Sequence, residues 1–363
     1  MRRIIDLLRF LKNGHWWSKF KILFGSSSFV DLVPPTASGV TTLIHRSSPV
    51  FVDGDLDLWN RTVNERQYGR ELSIRDRGVY RGPCFSILSA VFVSKKGWDL
   101  DSLQGSKEKV PKWADVVALV KPQRIKEPVI LLNLLWADNY FHWMLEVLPR
   151  LSSLGILSQS VKVLLPVNVK SFHSESLLLA GIPQGRQVRP TSSWIELEDA
   201  IYVGSLGPTG NPTPLALRWM RKNLVRVTQS MPIGKPLFVY RDSKASRGIL
   251  NLQECLSWME RRGYLCVEPG SMRVAEQIEV FRTASCVVGL HGAGLANLAF
   301  CPSSERLKVL EILTEDWPNG CFWALSNVLE AQYCCLFVES DGSGKVSLDL
   351  MRLERVLDRW EQL

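Results

Sequence analysis

From residue 236 to residue 313 the chain alternates short apolar runs with amphipathic stretches, and this alternation restricts the fold more than any other feature. Residues 236–240, 264–267, 286–290 and 308–313 have the length and composition of buried strands. Between them, 252–262 and 274–283 carry helical spacing, and a further helix starts at Gly294 and runs toward Phe300. Strands alternating with helices build βαβ units on a parallel sheet. A less regular version of the pattern precedes this region. Residues 129–135, 161–165 and 200–203 read as strands, with one helix after Asp138 and another over 174–180. At 363 residues the chain suits two domains. The expected architecture is therefore α/β, with two facing Rossmann-type domains and a central cleft. Pro208, Gly210, Pro212 and Pro214 read as the linker into a helix over 215–229. The expected first domain is 1–210, with a β-rich start. The second is 211–345, and 346–363 forms a C-terminal helix packing back on the first domain.

Composition narrows the function. Hydrophobic residues make up 46% and charged residues 22%, which suits an ordered chain. The net charge of +8 suits an anionic small ligand or an acidic membrane surface, and no nucleic-acid motif accompanies it. The eight Cys form no paired C-x-x-C array, so they read as reduced, mostly buried thiols rather than zinc ligands or a disulfide framework. Most of the thirteen Trp read as core, although an indole face also suits a sugar ring. No apolar run reaches the roughly 18 residues of a membrane span. Residues 1–24 mix Arg and Lys with Ile, Leu, Phe and Trp. They read equally as a basic amphipathic helix on a membrane surface or as an ordinary first helix.

Three segments carry chemistry. The apolar run 286–290 passes directly into His291-Gly292-Ala293-Gly294, then Leu295-Ala296-Asn297. Glycines admit an anion close to the backbone, and a helix start supplies N–H groups and a positive dipole end. This loop reads as a diphosphate cradle. It lacks the third glycine of a dinucleotide fingerprint and the Gly-Lys-Ser/Thr of a Walker loop. The second segment, Arg241 through Arg247, follows the strand ending at Tyr240, on the ligand side of an open sheet. The third is Asn139-Tyr140-Phe141-His142-Trp143-Met144-Leu145-Glu146. At helical pitch Asn139, His142 and Glu146 share one polar stripe on an otherwise apolar helix. His142 and Glu146, four residues apart, can touch and form either a general base or a satisfied core pair. Pro149 then ends or kinks the helix and turns Arg150 elsewhere. Asp53-Gly54-Asp55 looks like a metal-holding D-x-D motif but reads better as turn chemistry.

Residues 139–146 with Leu148-Pro149-Arg150-Leu151 resemble the first motif of glycosyltransferase family 61. Arg241 through Arg247 with Asn251-Leu252-Gln253-Glu254 resembles its second. Glu268-Pro269, Ala275-Glu276-Gln277, His291 to Asn297, Phe300 and Glu311-Ile312 resemble its C-terminal signature in order. The resemblance spans about residues 130–313, and the first 125 residues match no pattern. Ser246-Arg247-Gly248 stands where that family commonly has paired arginines. The resemblance implies a GT-B-like fold and inverting transfer from a nucleotide-sugar donor to a saccharide or glycolipid acceptor in capsular or other surface polysaccharide synthesis. It implies a cytoplasmic enzyme, peripheral at the inner face of the membrane where the basic N-terminus makes contact. In the expected mechanism His142 or Glu146 takes the acceptor proton. Arg241, Arg247, His291, Gly292, Ala293, Gly294 and Asn297 hold the diphosphate, and Glu311 holds ribose hydroxyls. No cofactor and no divalent metal are expected. The rival readings are a nucleotide-sugar epimerase of the same architecture and a non-catalytic carbohydrate-binding protein.

Overall fold

A computed structural model describes residues 123–132, 136–155, 160–192, 194–207, 209–225, 234, 236–242 and 247–361. In the first third it describes 30–33, 41–42, 51–54, 56–65, 72–73, 79–87 and 90–93. The basic segment 1–24, and Lys244 to Ser246 of the arginine loop, lie outside the described residues.

Two main sheets are present. The path of the eight-stranded sheet runs Val30–Val33, Val79–Ile87, Trp194–Val203, Val129–Leu131, Lys162–Leu164, Gln187–Val188. From Trp194–Val203 onward the path is parallel, and Val79–Ile87 extends it antiparallel. The other sheet is six-stranded and parallel throughout, in the order Leu265–Val267, Leu237–Val239, Cys286–Leu290, Lys308–Thr314, Gln332–Val338, Phe51–Asp53. Numbered along the chain from Leu237, its strands run 2-1-3-4-5. The direction of winding reverses between Leu237–Val239 and Cys286–Leu290, and ligands bind outside the carboxyl ends of strands at such a reversal.

Both faces of the parallel sheet are covered, which is why its strands are nearly continuous apolar runs. Alternate residues serve opposite faces. Phe238, Val288, Leu290, Leu310 and Ile312 pack with Cys255 and Met259 of helix Leu252–Arg261 and with Leu353, Leu357 and Trp360 of helix Leu350–Glu361. On the opposite face, Val239, Val287, Val309 and Phe337 belong to a cluster that continues into the first sheet through Phe141, Met144, Ile130 and Ile201. Helix Pro214–Leu224 adds Leu217, Met220 and Leu224 to that shared core. The helical segment after Asn139 and the glycine loop after Leu290 thus pack on one core.

Several expectations change. The C-terminal helix packs on the second sheet, because its apolar stripe fits against helix Leu252–Arg261. Phe51–Asp53, placed by sequence in the first domain, is the edge strand of the second sheet. Gln332–Val338 is a further parallel strand beyond those expected. The proline- and glycine-rich stretch read as a linker is buried from Gly210 to Thr213. Asp53 pairs with Arg352, and Gly54 has φ 123°, so this part of the D-x-D stretch is turn and ion pair. The cysteines at 255, 266, 286, 301, 321, 334 and 335 are free thiols. Among the described residues no helix is long and apolar enough to cross a membrane.

Candidate active site

The segment after Asn139 changes helix type twice. Asn139 accepts the Phe141 N–H at 2.9 Å and caps an α-turn, Tyr140–His142. A π-turn, Trp143–Val147, follows, with the Leu148 N–H bonded to the Trp143 carbonyl. Pro149, lacking an N–H, then opens a 3₁₀ segment, Leu148–Ser153. Wide π-turns recur at functional sites because they aim side chains that a regular helix would not. The chain therefore continues helically past Pro149, and Arg150 does not turn elsewhere. It is buried, with Nε donating to the Glu146 carbonyl at 3.0 Å and Nη1 to the Val203 carbonyl at 2.8 Å.

His142 and Glu146 meet as expected, Nδ1 to Oε2 at 2.7 Å. The other oxygen of Glu146 accepts the Gly210 N–H at 2.6 Å. An ionised Glu146 only accepts, so Nδ1 is the donor, and in the neutral imidazole the lone pair then stands on Nε2. The Trp136 and Phe141 rings flank the imidazole, with centroids 6.1 and 5.2 Å away. Gly210 lies 64 residues from Glu146, and sequence reasoning gave it no role beyond the linker.

A second His–Glu pair stands at the glycine loop. His291 Nδ1 lies 2.5 Å from Glu311 Oε1, and the Tyr333 hydroxyl donates to Glu311 Oε2 at 2.5 Å. Glu311 is fully buried, and both its carboxylate oxygens are engaged, one by His291 and the other by Tyr333. Burial and the neighbouring Glu311 charge hold the Tyr333 phenol well above its usual range. Tyr333 carried no local signal in the sequence. Asn297 is also fully buried: it accepts from the Tyr140 hydroxyl at 2.7 Å and donates to Gln277 at 2.7 Å and to the Gly294 carbonyl at 3.0 Å. It braces the loop against the segment that carries His142. Arg221, also unforeseen, clamps the far end of the 3₁₀ helix Ala293–Phe300 through the carbonyls of Ala299 and Cys301.

Arg241 follows strand Leu237–Val239 and His291 follows strand Cys286–Leu290, so their loops flank the reversal in winding. The Arg241 guanidinium lies directly on Gly292, where a Cβ would strike Nη2, Cζ and Nε. A Cβ on Gly294 would come 3.2 Å from Pro269 Cγ. Burial, and after it the nearby charge of Arg247, lowers the proton affinity of Arg241. Among the described residues neither arginine is in an ion pair. Two close cations beside a glycine-rich helix start are the kind of groups that hold an anion. Among the described residues no group of three His, Cys, Asp or Glu is placed to hold a metal ion.

Comparison with known proteins agrees with this geometry. The family model described as Glycosyltransferase 61 matches residues 140–307, a span that contains His142, Glu146, both arginines and the glycine loop. No curated protein matches the chain. Residues 140–307 are thus a glycosyltransferase family 61 domain, and by that domain the chain is a glycosyltransferase.

Proposed function

We propose that the chain moves a sugar from a nucleotide-sugar donor to a saccharide or glycolipid acceptor by single displacement with inversion, in a GT-B-like cleft and without a metal. The observation that carries this is the meeting of the Arg241 side chain with Gly292 at the reversal of the parallel sheet. The donor diphosphate lies against Arg241, Arg247 and the N–H groups of Ala293 and Gly294. As the bond from the anomeric carbon to the diphosphate oxygen breaks, these groups neutralise the charge that builds on the leaving group. His291 Nε2 faces the same anion, its ring oriented by Glu311. The acceptor hydroxyl attacks the anomeric carbon and gives its proton to His142 Nε2, while Glu146 fixes the ring and balances the imidazolium that forms. Surface polysaccharide synthesis, on the cytoplasmic face of the membrane, is the setting this reading favours.

The test is a screen of nucleotide sugars with and without saccharide acceptors. A transferase releases free nucleoside diphosphate and forms a product of inverted anomeric configuration when acceptor is present, and a chelator leaves turnover unchanged. His142→Ala and Glu146→Gln should lower turnover by about 10²–10⁴-fold while nucleotide binding persists. Donor isomerisation without acceptor would establish the epimerase. Unchanged turnover in both variants would remove the His142–Glu146 pair from the mechanism, and strict manganese dependence would remove the metal-free step.

A further inference from the structure

Trp136 stands apart from the other aromatic side chains near the shared core. It is 43% exposed, whereas Phe141, Trp143 and Phe322 are buried. Exposure alone would be ordinary for one apolar side chain, but this one lies beside His142. Its backbone is also unusual, with φ 63°, a conformation that bulky side chains rarely adopt. Held strain of this kind clusters where a side chain must be aimed.

The turn that carries it is held by two backbone carbonyls, those of Trp136 and Ala137. The Asn139 N–H donates to the Trp136 carbonyl at 2.8 Å. The next carbonyl, that of buried Ala137, accepts from His173 Nε2 at 2.8 Å, and His173 Nδ1 in turn accepts the Lys170 N–H at 2.7 Å. This tautomer leaves the imidazole neutral, as its full burial demands. Trp136 is thus an exposed aromatic plate on a rigid mount. Its ring centroid is 6.1 Å from that of His142, and the two planes are inclined by 31°. Asp138 and Asn139, also exposed, border it with polar groups.

Resting on the transferase reading above, we propose that Trp136 is the stacking platform for the acceptor sugar. A pyranose has an apolar C–H face and a rim of hydroxyls. The indole takes the face, and the rim is left toward His142 Nε2 on one side and Asp138 on another. A free hydroxyl of the sugar is thereby presented to the proton acceptor. The chemical class this favours is a neutral or amidated pyranoside rather than a lipid or peptide hydroxyl, since these offer no flat C–H face to an exposed indole.

The experiment is saturation-transfer NMR on the full chain with methyl glycosides of glucose, galactose, mannose, xylose and N-acetylglucosamine, in the presence of UDP, GDP or CMP. Wild type should saturate the ring C–H protons of at least one glycoside. Trp136→Ala should weaken that binding by about tenfold, and Trp136→Phe should restore most of it. Nucleotide binding, followed by calorimetry on the same samples, should be unchanged in both variants, which shows that they are folded. Glycoside binding that is equal in wild type and Trp136→Ala overturns the platform, as does absence of glycoside binding to wild type. Loss of glycoside binding in Trp136→Ala, in a protein that never turns over a nucleotide sugar, would sink the transferase mechanism and leave the platform standing.

Discussion

Gly292→Ala isolates the donor end of the site. The φ of Gly292 is 164°, extended backbone that any residue adopts, so alanine adds no backbone strain. Its effect must come through the Cβ, which would collide with Nη2, Cζ and Nε of Arg241, the last at 2.8 Å. The guanidinium is the far end of a flexible side chain and can swing away. Stability should therefore change by less than about 1 kcal/mol. Binding should change far more. Charge-assisted hydrogen bonds contribute about 1.5–3 kcal/mol each. Losing one from Arg241 weakens nucleoside diphosphate binding by about 10- to 100-fold. Gly294→Ala is the internal control, because its Cβ comes no closer than 3.2 Å to any atom, at Pro269 Cγ, and a small shift relieves it. The assay is calorimetric titration of nucleoside diphosphate into wild type, Gly292→Ala, Arg241→Ala and the double variant, with thermal unfolding on the same samples. If the alanine acts by displacing Arg241, the double variant binds no worse than Arg241→Ala. Fully additive losses, or wild-type affinity in Gly292→Ala, would refute the idea that the Arg241–Gly292 contact seats the diphosphate.

Two further outcomes follow from buried groups. Burial lowers the proton affinity of His173 in the folded chain, so the unfolded chain binds the proton more readily. The stability this histidine contributes is fully present above its unfolded value of about 6.5 and is lost as the pH falls below it. Urea midpoints should drop between about pH 7.5 and about pH 5.5, and His173→Gln should flatten that slope; an identical slope in the variant rules the account out. Tyr333→Phe removes one of the two donors to the buried Glu311 carboxylate. It should cost about 1–3 kcal/mol in urea unfolding, and an unchanged midpoint would show that the carboxylate finds another donor.

What could be read from the sequence was what is local. The pair His142–Glu146 needs four residues of helical rise and nothing else, and its 2.7 Å contact formed even though the helix there is π-type rather than α. The glycine loop sits where an apolar run ends in His291, and the strand Cys286–Leu290 matched its expected bounds. Long-range partners left no comparable trace. The Gly210 N–H reaches Glu146 only because the chain after Val203 folds back over the first sheet, and a proline-glycine stretch looks the same whether it links domains or lines a site. Tyr333 sits in a strand beside Cys334 and Cys335, buried thiols that behave as small apolar side chains, and nothing in that apolar run marks it as a partner of Glu311. Asp53 met Arg352 across 299 residues, a contact no spacing rule predicts.

The placement of Asn297 explains why these distant pieces form one site. Its carboxamide bonds Tyr140, one residue after the Asn139 cap, and also Gln277 and the Gly294 carbonyl of the glycine loop. Burial pushes the Tyr140 phenol far above its usual range, so this hydroxyl remains a donor at any pH the fold survives. The segment bearing His142 and the loop bearing His291 are therefore fixed to each other by neutral hydrogen bonds inside a shared apolar core. Neutral buried links keep their strength in salt, whereas charge contacts between the partly exposed arginines and an anion are weakened by it. Raising ionic strength should then weaken donor binding while leaving the spacing between the two histidine–glutamate pairs intact. If His142 is the proton acceptor and Arg241 the anion contact, as proposed, both are preformed on this geometry, and the donor is left to supply charge and contact rather than to assemble the site.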